Sequence, residues 1–443
     1  MALKIIFVRH GLSSFNKEGL IQGRNDESVL TSTGKSQAIA VGKTLKGIKF
    51  DKIFSSPLKR ASETTQYISK ELNEECPQPL LNNELLEVDL QKWTGCKIKN
   101  LKAEFPKEYL IWQKDPEELT LEKENGSLYM PIKELFIQAS SFLENCLDEF
   151  PLNEEKTILV IAHNAILRCL ILNLINNPKR GFRKIKLDNA SISIINIKEK
   201  REGTYFSQIE CLNVTSHLKK ELIPSNENSK IILVRHGETN WNLEGRFQGQ
   251  IDIPLNNNGK EQAKKAREIL KGIKINKAFS SFLKRPMETA EIILEGKNIK
   301  PIKVLELAEI NHGLWEGKLE SEINEDWEEL LEQWHKNPEK VIMPEGESIQ
   351  DVWERSVKAW QKICNQQEDG DITLLVAHDA VNKTIICYLM GLGYKDIWSI
   401  KQGNGGFSVF EISNKKDREI IINSINITTH LGGIIDSTAS GAL

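Results

Sequence analysis

The chain has 443 residues, 40% hydrophobic and 27% charged, with 59 Lys and Arg against 62 Asp and Glu and a formal net charge of −3. That length exceeds one ordinary domain and fits two of about 200 residues, each large enough to stand without disulfides or metals. A near-neutral balance gives no reason to expect nucleic acid or an anionic membrane as partner, so any positive field must be local.

The seven cysteines are scattered, odd in number and lack metal-ligand spacing, which fits incidental thiols in a reducing compartment. The N-terminal apolar run is too short for a secretory signal, and no segment approaches the ~20 apolar residues that cross a bilayer. A cytoplasmic protein is expected.

In chain order, KIIFV (4–8), DKIF (51–54) and TILVIA (157–162) read as strands. Gly34–Leu45, Leu58–Leu72, Ile132–Phe150 and Ala165–Leu174 read as helices between and after them. Such alternation predicts a three-layer α/β/α fold, a mainly parallel sheet covered by helices on both faces. The second half repeats the first. IQGRNDESVLTSTGKSQA (21–38) matches FQGQIDIPLNNNGKEQA (247–263), and FSSPLKRASET (54–64) matches FSSFLKRPMET (279–289). LLEVDLQKWTG (85–95) matches LAEINHGLWEG (307–317), and ILVIAHNA (158–165) matches LLVAHDA (374–380). The repeat predicts two tandem domains, 1–222 and 229–431, with a polar linker over Ile223–Ser229 and a flexible tail over 432–443.

In open parallel sheets, ligands bind beyond the carboxyl ends of the strands. Arg9 and His10 end the first strand, as Arg235 and His236 end its counterpart; His163 and His378 each directly follow an unbroken apolar strand. Arg60 and Arg285 stand in the first turn of a helix entered through Ser-Ser. The topology thus brings two arginines and two histidines to one rim per domain. A bound dianion would relieve their repulsion, and phosphate fits best because each guanidinium grips two oxygens. The helices that begin after His163 and His378 would add their N-terminal dipoles.

A histidine can also attack phosphorus, provided its nitrogen is unprotonated, and neighbouring arginines lower its pKa in that direction. The leaving oxygen then needs a proton from a carboxylic acid at the pocket mouth. Glu87 and Glu309, each just before Trp-X-Gly, are the candidates. Trp93 and Trp315 are expected in the core. His217 and His430 are expected to be structural, and His312 and His335 to line the pocket or lie on the surface.

RHGETNWN (235–242), SS-x-LKR, E-x5-W-x-G, PEGES (344–348) and strand-then-His, in that order, resemble the histidine phosphatase superfamily, also called phosphoglycerate mutase-like. The resemblance spans both halves. It implies a phosphohistidine on His10 and His236, proton donation by Glu87 and Glu309, and no metal. It further implies a phosphate pocket of Arg9, Arg60 and His163 with Arg235, Arg285 and His378. Asn16 and Asn242 match positions that also touch the phosphate.

The halves differ where it matters. The first has RHGLSSFN for RHGETNWN, SLYMP (127–131) for PEGES, and Gln138 opposite Arg355. After the second histidine, where the family usually shows glycine, stand Asn164 and Asp379, and Asp379 brings a negative charge beside a phosphate site. The C-terminal domain is therefore expected to carry most turnover. The N-terminal domain is read as active, differently selective, or a binding and regulatory copy. A phosphatase acting on a small phosphorylated metabolite is expected, because the acidic helical segments after Trp93 and Trp315 lack extra basic residues for a second phosphate. A phosphoglycerate mutase, which would need 2,3-bisphosphoglycerate as primer, is the alternative, with a phosphate-binding scaffold the third. No other cofactor is expected, and homo-oligomerisation stays open.

Overall fold

A computed structural model describes residues 2–438, apart from 74, 124, 178–180, 202–203, 219–221, 224–226 and 414–418. The chain divides into two units, Met1–Leu222 and Ile223–Leu443. Of the expected linker, residues 224–226 lie outside the described residues.

In the first unit the strands lie in the order Thr204–Val214, Ile192–Arg201, Leu3–Arg9, Lys156–Ala162, Lys52–Ser55, Leu80–Leu81. The last four are mutually parallel, and the first two form an antiparallel hairpin against Leu3–Arg9. The second unit repeats this order with Ile420–Ile427, Phe407–Ile412, Ser229–Arg235, Ile372–Ala377, Lys277–Ser281 and Ile302–Val304. The parallel part matches the apolar runs. The hairpin is an addition that the strand-helix alternation did not reveal, because it involves no helix crossover.

Helices form close to where the patterns place them: Ser32–Leu45, Lys59–Ser69, Pro131–Glu149 and Asn164–Leu174. The first is capped by the Thr31 hydroxyl, which accepts from the Gly34 amide; Asn256 does the same for Gly259 at the start of Asn257–Ile269. The crossovers run from Leu3–Arg9 towards the Leu80–Leu81 edge and then return, so with right-handed connections the outgoing helices share one face and the returning helices the other. Ser32–Leu45 accordingly packs on Lys59–Ser69, and Pro131–Glu149 on Asn164–Leu174. The central strands are sealed between them: Ile5, Ile6, Val8 and Ile158 to Ala162 are fully buried. Each such aliphatic side chain contributes about 1.5–3 kcal/mol of burial.

Two features aim the sheet at a ligand. Parallel register pairs Arg9 with Ala162 and Arg235 with Ala377, so the histidine one residue beyond each member emerges beside its neighbour. Glycines then permit a tight exit. A Cβ on Gly237 would lie 2.4 Å from the Gly259 carbonyl oxygen, and one on Gly259 would lie 2.1 Å from that of Glu238. Gly11 and Gly34 make the same contact in the first unit.

The tail departs from expectation. Ile434 and Asp436 are buried, Thr438 Oγ1 accepts from the Asn404 amide at 3.1 Å, and Asp436 lies 3.5 Å from Lys401 Nζ. Residues 432–438 therefore pack onto the rest of the second unit, where Asp436 meets Lys401 and Thr438 meets the Asn404 amide. Residues 439–443 lie outside the described residues.

Candidate active site

In the second unit the imidazole of His236 is buried, with Nδ1 2.7 Å from the Gly237 carbonyl oxygen. A carbonyl only accepts, so Nδ1 carries the proton and Nε2 holds a free lone pair. Arg285 Nε donates to that Nε2 at 3.3 Å. The pKa of His236 is held well below the ordinary imidazole value, chiefly by burial and then by Arg285 and Arg235. Burial outweighs the arginines named from the sequence.

Arg285 is fully buried and anchored through Nη1 to Ile251 O at 3.0 Å and Nη2 to Gly249 O at 2.7 Å. Arg235 donates Nη1 to Gln402 O and lies 3.4 Å from Asp379 Oδ1. His378 packs on His236 with ring centroids 5.2 Å apart, and its Nε2 meets Ser281 Oγ at 2.8 Å. A small pocket opens over His236, lined by Arg235, Arg285, Asn242 and Glu309 and closed by Gln248, Gly249 and His312.

Glu309 faces this pocket from the start of the helix Asp379–Met390. Its Oε1 accepts from the Ile310 amide and its Oε2 from the Asp379 amide, both at 3.0 Å. Those amides and the arginines favour the carboxylate form, yet burial and the Asp379 charge prevail and push its pKa up. Arg355 holds the loop: it donates to Glu306 O and Glu309 O at 2.9 Å and grips Glu347 of PEGES through two 2.9 Å bonds.

The first unit assembles the same set. His10 Nδ1 meets Gly11 O at 2.7 Å, its ring lies 5.2 Å from that of His163, and His163 Nε2 meets Ser56 Oγ at 2.7 Å. Burial first, then Arg60, lowers the pKa of both histidines. Arg60 donates to Gly23 O and Asn25 O, and Arg9 to Leu187 O. Glu87 sits at the start of Asn164–Leu174, accepting from the Ala165 and Ile166 amides at 3.1 and 3.2 Å.

Residues 5–206 and 231–425 both match the model of the histidine phosphatase superfamily, branch 1. The chain belongs to that superfamily. A probable 2-carboxy-D-arabinitol-1-phosphatase of Arabidopsis thaliana is 26% identical over 97% of this chain and 88% of its own length. Phosphoserine phosphatase 1 of Hydrogenobacter thermophilus is 36% identical over 46% of this chain and 94% of its own. A 2,3-bisphosphoglycerate-dependent phosphoglycerate mutase of Cytophaga hutchinsonii is 31% identical over 44% and 92%. Among solved structures, Bacillus stearothermophilus YhfR is 28% identical with a TM-score of 0.43, covering 46% of this chain and 98% of that one. The relatives of this histidine phosphatase thus include phosphatases and phosphoglycerate mutases.

Several differences between its halves prove structural. Glu238, absent from RHGLSSFN, turns its carboxylate to Asn256 Nδ2 at 2.8 Å and so braces a helix cap. Gln138, opposite Arg355, donates to Glu84 O and Leu86 O, while Arg24 holds Glu87 O at 3.0 Å and Gln138 Oε1 at 2.9 Å. The guanidinium has moved from helix to loop, where the second unit has Gln250, which donates to Glu309 O at 3.1 Å. Asp379 is neutralised between Arg235 and Lys383 Nζ, the latter at 2.6 Å.

Sequence reasoning missed Asn189 and Asn404. Asn404 Nδ2 bridges His236 O at 3.2 Å and Asn242 Oδ1 at 3.3 Å; Asn189 does the same for His10 O and Asn16 Oδ1, both at 3.0 Å. Asn16 and Asn242 thus sit beside their nucleophile candidates. The signal was a matched asparagine before each hairpin. His217 and His430 brace the same loops through Ala190 O and Gly405 O. His312 lines the pocket, His335 is exposed near Glu320, and Trp93 and Trp315 are fully buried.

Proposed function

We propose that the protein is a phosphatase of small phosphorylated metabolites, working through a phosphohistidine on Nε2 of His236. The observation that carries this reading is the pairing of a Gly237-bound Nδ1 with a lone pair on Nε2, aimed into a pocket of guanidinium groups. Nε2 attacks phosphorus, and the bond from phosphorus to the ester oxygen breaks. Arg235, Arg285, Asn242 and His378 hold the phosphoryl oxygens, where charge accumulates in a loose transition state. Glu309, its carboxyl held by burial towards the protonated form, gives its proton to the leaving oxygen. Its carboxylate then takes a proton from water as water attacks phosphorus, releasing phosphate and restoring His236.

His10, Glu87, Arg9, Arg60, His163 and Asn16 are assigned the same roles in the first half. His236 carries most turnover in this account, because Arg285 Nε engages its nucleophilic nitrogen, whereas the Nε of Arg60 is buried without a hydrogen-bond partner. Imidazole and guanidinium supply the chemistry, so turnover should persist in chelator. All seven cysteines are free, and no helix among the described residues is long and apolar enough to cross a membrane; both support work in the cytoplasm.

The test is a panel of phosphomonoesters assayed in chelator for free phosphate and for isomerised substrate. Phosphate release supports the reading. Isomerisation of phosphoglycerate, dependent on 2,3-bisphosphoglycerate, would make the protein a mutase. Neither product would leave a phosphate-binding role.

A further inference from the structure

The halves differ in charge at one place beside the phosphate pocket. In the second half the Asp379 carboxylate joins two cations: Oδ1 is 3.4 Å from Arg235 Nη1, and Oδ2 is 2.6 Å from Lys383 Nζ, one helical turn on. Lys383 also lies over the Trp398 ring, 4.8 Å from its centroid. Asp379, Arg235 and Lys383 are all buried. The cluster is sealed and carries its own anion.

In the first half Asn164 replaces Asp379, Arg168 replaces Lys383 and Arg183 replaces Trp398. The last match is structural as well: Arg183 Nε donates to Trp112 O at 2.8 Å, as Trp398 Nε1 donates to Trp334 O at 3.0 Å. The three positions carry a formal charge of +2, against zero in the second half. Asn164, Arg9 and Arg168 are half-buried, less enclosed than Asp379, Arg235 and Lys383. Neither Arg9 nor Arg168 has an ion pair among the described residues, and the Nε of each and the Oδ1 of Asn164 are buried without a hydrogen-bond partner.

The charges of Glu87 and Asp188 act on Arg9, and that of Glu87 on Arg168, but neither carboxylate is in ion-pair contact with either arginine among the described residues. Glu87 is held by the helix amides, and Asp188 lies 3.6 Å from Lys186. Arg168 rests on the Phe182 ring, and burial together with Arg183 and Arg9 pushes its guanidinium down to about 9. A cation so placed has no carboxylate in direct contact. The site also borders the proton donor, because the helix bearing Asn164 and Arg168 donates its first amides to Glu87.

We propose that the N-terminal site takes a phosphomonoester whose leaving group bears a carboxylate, which lies between Arg9 and Arg168 where Asp379 lies in the other half. The C-terminal site, its cations already paired, prefers leaving groups without one. This rests on reading both halves as phosphoryl-transfer sites. One sequence would then serve two substrate classes with the same chemistry.

The test uses the full chain with His236→Ala, which leaves the N-terminal site alone, and compares kcat/KM for 3-phosphoglycerate and glycerol 3-phosphate. These differ by a carboxylate in place of a hydroxymethyl group. The expected ratio favours 3-phosphoglycerate at least tenfold. Asn164→Asp, which installs the residue the second half already uses, should lower that ratio at least tenfold. Arg168→Gln should move it the same way. A ratio near one, or a ratio that Asn164→Asp leaves unchanged while phosphate is still released, overturns the subsite and spares the phosphatase reading. No phosphate release by His236→Ala from any phosphomonoester overturns the catalytic reading of that half, and the subsite falls with it.

Discussion

Arg285 Nε donates to His236 Nε2 from 3.3 Å, so a permanent cation holds the lone pair of the nucleophile candidate and marks where phosphorus must arrive. The other two nitrogens of that guanidinium are tied to Gly249 O and Ile251 O, which fixes its plane. Arg285→Lys keeps a charge but loses both the fork and the Nε contact. Turnover of the C-terminal site, isolated by His10→Ala, should fall roughly 100- to 1,000-fold, as when one preorganised donor is removed. Steady-state phosphate release measures it; a loss below threefold would detach Arg285 from the reaction.

Asn404 supports the same site from behind. Asn404→Ala leaves His236 O and Asn242 Oδ1 without this donor in a buried setting, a cost of about 1–3 kcal/mol. Turnover should also slow roughly 10- to 100-fold through misplacement of the imidazole. Urea unfolding and kcat, measured together, check this; unchanged values for both would make Asn404 incidental.

Asp379 raises the pKa of Glu309, while Arg285 and Arg235 lower it. Replacing Asp379 with Asn removes a like charge and frees two cations, so the Glu309 pKa must fall. The proposed proton donor is then lost at lower pH, and the alkaline limb of kcat/KM should move to lower pH. Profiles of His10→Ala with and without Asp379→Asn, on one substrate, test the sign. A limb that moves upward would contradict it.

His217 and His430 are both held down to about 4, largely by burial. Their folded pKa lies below the unfolded value of about 6.5, so as pH falls the unfolded chain takes up protons first. Stability should be full above about pH 6.5 and decline from there towards pH 4, by on the order of 2 kcal/mol per histidine between pH 7 and pH 5. Urea midpoints at pH 7 and pH 5 test this, and His217→Asn or His430→Asn should flatten the dependence. A midpoint indifferent to pH would sink it.

The paired residues at strand ends were legible because two periodic signals met there: an apolar run, and a charged pair recurring in both copies. His10, His163, Arg60 and their counterparts converge for that reason. Contacts between segments far apart in sequence left no such trace. Ser56 and Ser281 read as a helix entrance, and only the fold brings their hydroxyls to His163 and His378. The exchange of Arg24 and Gln138 for Gln250 and Arg355 looked like loss at one position, since its compensation lies on another element. The charge of Asp379 appeared harmful until Lys383, one turn on, was seen to pair with it.

The central claim is that the phosphoryl group passes through Nε2 of His236. Brief mixing of the full chain with a turned-over phosphomonoester, quenching in base and peptide mass spectrometry would locate the phosphate directly. The account predicts an acid-labile phosphate on His236, with the Nε2 isomer identified by phosphorus NMR, and its absence in His236→Ala. Phosphate found at His10 alone, or a substrate consumed with no phosphoenzyme at either histidine, would contradict it.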